Sequence, residues 1–291
     1  MKKIKIVITG QSNVGKSSMM NYLCNSYVSS VSKKPQTTRV NIYKSIVCDN
    51  VDLSIYDTPG VSVFDRSLLS VLMQKSFLHP LDKVDVLMIM LDGNNKMSEM
   101  DKSIIESAEM MKKKIIIVLN KSDLLVENDL IKIINELKKF YSHPIFSISI
   151  KTENGMAKLI DYIKDLAKEP NDKTDIKKDS DIDKIFVQEI IRGSINDSTY
   201  DEVPYDCAVL TDRVVIKKNL IKIYSTIYVE KTNQKKIMIG ESGTHIKQIG
   251  TNARCRLEDI FSKKIYLDLT VKIKKNWKNN YKFLKTLGYI S

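Results

Sequence analysis

The chain has 291 residues, 43% of them hydrophobic and 28% charged, a composition that excludes a wholly disordered chain and leaves room for about two domains. No apolar run reaches the roughly 18 residues that a membrane-spanning helix needs. The four cysteines, Cys24, Cys48, Cys207 and Cys255, lie far apart with no CxxC pair, so neither a disulfide framework nor a structural zinc site is expected. The formal charge of +12 is unevenly placed: residues 1–212 carry 29 Lys and Arg against 30 Asp and Glu, and residues 213–291 carry 18 against 5. A cationic C-terminal portion points to a polyanionic partner, because clustered Lys and Arg gain affinity for phosphates through counterion release.

In chain order, the apolar run Ile4–Thr9 reads as a strand, and the few residues before it in this sequence do not read as a secretory signal or an Arg/Ser-rich presequence. An intracellular, reducing location is expected. The next residues, Gly10-Gln11-Ser12-Asn13-Val14-Gly15-Lys16-Ser17-Ser18, match GxxxxGK[ST] and open a predicted helix over Gly15–Leu23. Glycines in such a loop let backbone N–H groups close around phosphate oxygens, and the helix N-terminus adds its dipole. Lys16 is expected on the β- and γ-phosphates and Ser17 on Mg²⁺. A strand pair follows, Asn41–Cys48 and Val51–Asp57, turning at Asp49-Asn50. It ends in Asp57-Thr58-Pro59-Gly60. An Asp at a strand end beside a phosphate loop can hold Mg²⁺, and Gly60 can bring its N–H to the γ-phosphate.

Val84–Asp92, Lys114–Asn120 and Ile145–Ser149 are further buried-strand candidates, separated by helical patterns over Ser98–Met111, Asp129–Tyr141 and Gly155–Leu166. Strands alternating with helices predict an α/β fold, a mostly parallel sheet with helices on both faces. Asn120-Lys121-Ser122-Asp123 ends the strand at Leu119. The Asp123 carboxylate can accept from N1–H and the exocyclic amine of guanine, a donor pair that adenine lacks, and such a site rejects adenine by leaving the carboxylate unpaired. The stem of Lys121 can cover the base, and Asn120 can brace the loop.

Residues 168–183 are almost free of apolar side chains and read as a linker. Beyond them come a helix at Ile185–Ile195 and strands at Cys207–Val215, Leu220–Val229 and Val271–Ile273, a small α+β domain. Within it, Gly240-Glu241-Ser242-Gly243 forms a GxxG turn, read as following an apolar strand at Ile237-Met238-Ile239 and preceding a helix. Glycines there allow a nucleic-acid backbone to approach, and the adjoining elements form a groove for unstacked bases.

Residues 1–166 resemble a small GTPase domain, on the three motifs above and their order. Ser149-Ile150-Lys151 resembles the family's fifth motif, which contacts guanine through its backbone. The segment Ser-Lys-Lys-Pro-Gln-Thr-Thr-Arg at 32–39 is similar to the switch of the Era GTPases, which implies that Thr38, or else Thr37, closes over Mg²⁺ and the γ-phosphate. The GxxG run, with Thr251–Glu258, Lys264–Lys272, Trp277 and Leu287-Gly288-Tyr289, closely resembles the type II KH domain of that family. The resemblance implies a GTPase domain at 1–167, the linker at 168–183 and a KH domain at 184–291. It further implies a GTP-hydrolysing switch that binds small-subunit, 16S-type ribosomal RNA near its 3′ end and assists assembly of the small ribosomal subunit, with GTP or GDP and Mg²⁺ as ligands. A monomer in a bacterial-type cytoplasm is expected, with peripheral association to the inner membrane and an organelle matrix both left open.

Three departures qualify the resemblance. Val61 stands where many regulatory GTPases place a water-orienting Gln, so slow intrinsic turnover is expected. Asn13 resembles GTPases that use a bound K⁺ as the missing positive charge. Glu241 stands where Era-like loops usually carry a basic residue, and its repulsion of phosphate leaves Lys235, Lys236 and Lys247 as the compensating cations. Trp277 and Tyr266 are expected to pack rather than to stack on bases. Two other classes fit parts of the sequence: a membrane-associated or tRNA-modification GTPase whose basic tail meets lipid or a partner protein, and an RNA-binding protein with a degenerate nucleotide site. The three histidines, His79, His143 and His245, have no cluster of ligands beside them in sequence, and no catalytic or metal role is expected of them.

Overall fold

A computed structural model describes residues 1–25, 42–58, 84–168, 183–199 and 203–289, which fall into two compact units divided after residue 168. In the first unit the runs of β-branched and aliphatic residues form the centre of a sheet. Strands β1 (Lys2–Gly10), β3 (Val51–Asp57), β4 (Val86–Asp92), β5 (Lys114–Asn120) and β6 (Ile145–Ser147) run parallel, and β2 (Ile42–Cys48) pairs antiparallel to β3 at the edge. The spatial order is β2-β3-β1-β4-β5-β6. Ile6, Val7, Ile8, Val86, Leu87, Met88, Ile89, Ile116 and Ile117 are all buried, as both faces of a parallel sheet must be. The edge strand departs from this, with Tyr43 and Val47 exposed. It joins β3 through Asp49 and Asn50, both at positive φ, the backbone that a tight hairpin matching the strand twist requires.

Helices α1 (Lys16–Cys24), α2 (Glu99–Met110), α3 (Glu127–Phe140) and α4 (Met156–Asp165) accompany the strands. Ser98 and Asp101 form a reciprocal cap on α2: the Ser98 hydroxyl accepts from the Asp101 N–H, and the Asp101 carboxylate accepts from the Ser98 N–H at 3.0 Å. Such a cap stabilises a helix by about 1 kcal/mol. Lys168, at the head of the expected linker, bonds through both backbone groups to Lys3. The rest of that linker to residue 182, the switch segment with Thr37 and Thr38, and Pro59, Gly60 and Val61 lie outside the described residues.

The second unit has a three-stranded sheet in the order β7-β8-β9, from β7 (Cys207–Ile216), β8 (Leu220–Val229) and β9 (Lys264–Ile273). Strands β7 and β8 are antiparallel with a bulge between Thr211 and Arg213, and β8 and β9 are parallel. Helices α5 (Lys184–Ser198), α6 (Thr232–Ile239), α7 (Thr244–Phe261) and α8 (Tyr281–Thr286) complete it. Asp183 caps α5, its carboxylate accepting from the Ile185 N–H at 2.8 Å. One face of the sheet packs Ile223, Ile227 and Val271 against Ile190 and Ile191 of α5 and Ile249, Ala253 and Leu257 of α7. On the opposite face Ala208 gathers Trp277, Phe283, Leu284 and Leu287 into a smaller cluster. Trp277 is fully buried and donates from Nε1 to the Asp206 carbonyl at 3.1 Å, so packing is its role, as expected.

Three expectations are corrected here. The last strand is not the short Val271–Ile273 but all ten residues of β9, because Ile265, Leu267, Leu269 and Val271 alternate at the period of two that puts each against the core. Ile237-Met238-Ile239 is the last turn of a helix and not a strand. A three-residue apolar run cannot separate the two by periodicity. Here the Gln234 side chain accepts from the Glu230 and Lys231 N–H groups and starts the helix. Tyr266 does not pack away: it is 49% exposed on β9.

Candidate functional site

The strand order reverses direction at β1, since the chain passes from β1 to β3 on one side and then to β4 on the other. A crevice forms outside the carboxyl ends of the strands at such a point. The phosphate loop, residues 10–17, leaves β1 there, and Asp57, Asp92 and Asn120 end the neighbouring strands. Gly15, at φ +105°, is the residue before α1; a Cβ on it would meet Asn120 Nδ2 at 2.3 Å. Only glycine admits that approach. Asn120 is buried and clamps two segments at once, donating from Nδ2 to the Val14 carbonyl at 2.9 Å and accepting on Oδ1 from the Ile150 N–H at 3.3 Å. The phosphate loop, the NKSD turn and the segment after β6 are thereby one structure.

Lys16 is 6% exposed and donates from Nζ to the Gln11 carbonyl at 2.6 Å, folding its ammonium back over the loop. Burial pushes it down to about 8, against the opposing pull of the Asp57 carboxylate. The Ser17 hydroxyl donates to Asp57 Oδ2 at 2.8 Å, and Asp57 is fully buried. These are two hard oxygen donors side by side, the set that Mg²⁺ takes together with water and phosphate oxygens. The Ser12 hydroxyl is buried with no hydrogen-bond partner among the described residues, and a phosphate oxygen would satisfy it. The loop therefore fits a Mg²⁺-bound polyphosphate. Thr58 next to Asp57 is held in place by donating from Oγ1 to the Ile8 carbonyl at 2.9 Å.

On the base side, Asp123 is exposed and its Oδ1 accepts from Ser149 Oγ at 2.6 Å. Ser149 is buried and also accepts from the Thr152 N–H at 3.2 Å. The Ser149 hydroxyl thus ties the exposed carboxylate to the segment that carries Ile150 and Lys151. Lys121, at φ +65°, pairs through Nζ with Asp92 Oδ2 at 2.6 Å. Asp92 was missed by motif reading. The sequence shows only that it ends an apolar run; it reaches the site because it ends β4 in register with Asn120 of β5. Among the described residues, the structure brings Gly10 to Ser18, Asp57, Thr58, Asn120, Lys121, Asp123 and Ser149 to Lys151 to one edge of one sheet.

In the second unit, Gly240 (φ +76°) and Gly243 (φ +78°) bracket a tight turn through Glu241 and Ser242 that links α6 to α7. A Cβ on Gly243 would meet nothing within 4 Å, so the loop faces open space at that point. Lys236 and Lys247 are exposed and Lys235 half-buried on the flanking helix turns. Glu241 is exposed beside them. His245 fixes the loop from below: Nδ1 lies 2.7 Å from the Ile237 carbonyl and Nε2 2.6 Å from the Ser198 carbonyl. Motif reading assigned that histidine no part.

A sequence profile described as "50S ribosome-binding GTPase" matches residues 5–121, and a KH-domain profile matches residues 202–278. GTPase Era of Ruminiclostridium cellulolyticum is 31% identical over 287 residues, covering 98% of this chain and 96% of the relative. GTPase Era of Lacticaseibacillus paracasei is 32% identical over 287 residues, covering 98% and 95%. Among solved structures, a tyrosine-to-alanine variant of Aquifex aeolicus Era bound to GDP and AlF4⁻ superposes with a TM-score of 0.92 at 28% identity, covering 100% of both chains. Era in complex with MgGDPNP and nucleotides 1506–1542 of 16S ribosomal RNA gives 0.91 at 28% identity, again over 100% of both chains.

Proposed function

We propose that this chain, which belongs to the Era family of GTPases, uses its nucleotide state to govern how its second unit grips the 3′ end of small-subunit ribosomal RNA during assembly of the small subunit. The protein is a GTPase. The observation that carries the nucleotide reading is Asn120, whose two bonds join phosphate loop, specificity turn and base loop into one cleft. The RNA reading is supported by the GxxG turn, by the cations around it, and by the relative solved with a 16S fragment.

In this reading, the loop amides from Gly10 to Ser18 and the Lys16 ammonium bind the triphosphate, and Asp123 with Ser149 selects guanine. Mg²⁺ would be held by Ser17 and Asp57, with Thr38 as the third protein group, and it supplies charge neutralisation on the phosphates. Gly60 would place its N–H on the γ-phosphate. Hydrolysis is in-line attack by water, with the developing charge stabilised by Lys16 and the loop amides. Val61 cannot orient that water by hydrogen bonding, which makes intrinsic turnover slow. Asn13, at φ +66° in the loop, is the residue that would favour a bound K⁺, and equal turnover in K⁺ and Na⁺ buffers would dispose of that part. The protein acts as a monomer in the cytoplasm.

The test is equilibrium binding. Guanine nucleotides should bind and ATP should not, and a 16S 3′-end RNA should bind with an affinity that differs between the GTP and GDP states. Equal binding of ATP and GTP would overturn the nucleotide reading. Capture by anionic liposomes without any RNA binding would favour the membrane-associated class instead.

A further inference from the structure

The sheet of the second unit has two unlike halves on the face turned away from α5 and α7. At one end the cluster around Trp277 covers Ala208 and Tyr228. At the other end, towards the β7–β8 turn, register places Arg213 beside Tyr224, and Lys222 between Val215 on one side and Tyr266 on the other. The two tyrosine rings are 6.0 Å apart between centroids at 60°. Lys222 Nζ sits 5.9 Å from the Tyr266 centroid. Tyr266 keeps 49% of its surface exposed, and Arg213, Lys217 and Lys264 are exposed around the pair. Among the described residues the carboxylates at this end are Asp212 and Asp268, and Asp212 accepts from Thr226 Oγ1 at 2.9 Å.

A single exposed tyrosine on a sheet face is ordinary and points to nothing by itself. Here the exposed Tyr266 is tilted against the half-buried Tyr224, with cations around and above the pair. The apolar side chains beside them are few, Val215 and Leu220, both half-buried, too little for the apolar centre of a protein interface. Aromatic rings that take bases by their faces, bordered by cations that track a phosphate backbone, are what single-stranded nucleic acid needs.

We propose that this open half-sheet, with Tyr266 and Tyr224 as stacking platform and Lys222, Lys264 and Arg213 as backbone contacts, is a second binding surface for single-stranded RNA, distinct from the GxxG turn on the other side of the sheet. It extends the RNA footprint beyond the few nucleotides that a GxxG loop clamps. This rests on the reading of the second unit as an RNA binder, and the experiment separates the two.

Affinities of the full chain are measured for a short single strand of about 6 nucleotides, enough for the GxxG groove, and a long one of about 20. Tyr266→Ala should weaken the long RNA by about five- to tenfold and leave the short one unchanged, while Tyr266→Phe, which still stacks, binds both like the parent. Lys222→Ala should lower the slope of log affinity against log salt by about 0.7 for the long RNA only. Ultraviolet crosslinking of the long RNA should join a base to Tyr266 or Tyr224. The inference is overturned if Tyr266→Ala binds the long RNA as the parent does, or if it loses the short RNA equally, which would mark a disturbed fold. If the parent chain binds neither RNA, the RNA reading itself fails.

Discussion

Lys16 carries a charge in a place where burial opposes it, and that conflict has a measurable signature. Its ammonium is lowered from 10.5 to about 8, with desolvation the leading cause and Asp57 acting against it. A bound polyphosphate reverses the balance by supplying negative charge on the open side, so the nucleotide complex keeps the proton well above pH 8. Binding above that pH must therefore take up a proton. With a free-state value near 8, uptake is about 0.1 proton per site at pH 7, about one half at pH 8 and about 0.9 at pH 9. The dissociation constant for a non-hydrolysable GTP analogue is flat below pH 7 and rises about tenfold between pH 7 and 9, or about 1.4 kcal/mol.

Folding has the opposite sign. The unfolded lysine titrates higher than the folded one, so this group opposes folding at neutral pH and that cost is relieved as pH rises from about 8 to 10.5, by about 3 kcal/mol in all. Titration calorimetry in two buffers of different ionisation enthalpy reads the proton count directly, with Lys16→Ala as the variant that should show none from this group. Zero proton uptake at pH 9 with a flat dissociation constant would refute the reasoning, because it would mean that Lys16 is already held charged without nucleotide.

Other outcomes follow from single contacts. Asp123→Asn should move preference from guanine to xanthine bases, read by competition binding, with guanine affinity falling at least a hundredfold because the donor pair loses its acceptor. Gly15→Ala drives a Cβ to 2.3 Å from Asn120 Nδ2 and should cut nucleotide affinity at least tenfold in a fluorescent-nucleotide titration. Gly243→Asp meets open space but puts a Cβ at φ +78°, so it should cost the fold only about 1 kcal/mol in thermal unfolding while RNA binding is lost to carboxylate–phosphate repulsion. Trp277→Ala empties the centre of the smaller cluster and orphans the Asp206 carbonyl, and should destabilise the second unit by about 3–5 kcal/mol in urea unfolding.

What the sequence alone determined is whatever local chemistry specifies. The GxxxxGKS run had to be a loop between strand and helix, because its glycines and its register with Ile4–Thr9 admit little else. The runs at Val86–Leu91 and Ile115–Leu119 had to be buried strands, because only a sheet covered on both faces hides them. The cationic surplus after Asp212 was legible by counting. Tertiary structure decided what depends on residues far apart in sequence. Asp92 joins the site only because β4 pairs in register with β5, which places it against Asn120 and within reach of Lys121. The run before the GxxG turn became helical because Gln234 caps it and Asp206, from another part of the chain, anchors the Gln234 amide at 2.8 Å. Tyr266 proved exposed because α8 and Trp277 cover just one end of that sheet face, a boundary set by where the chain returns and not by the residue itself.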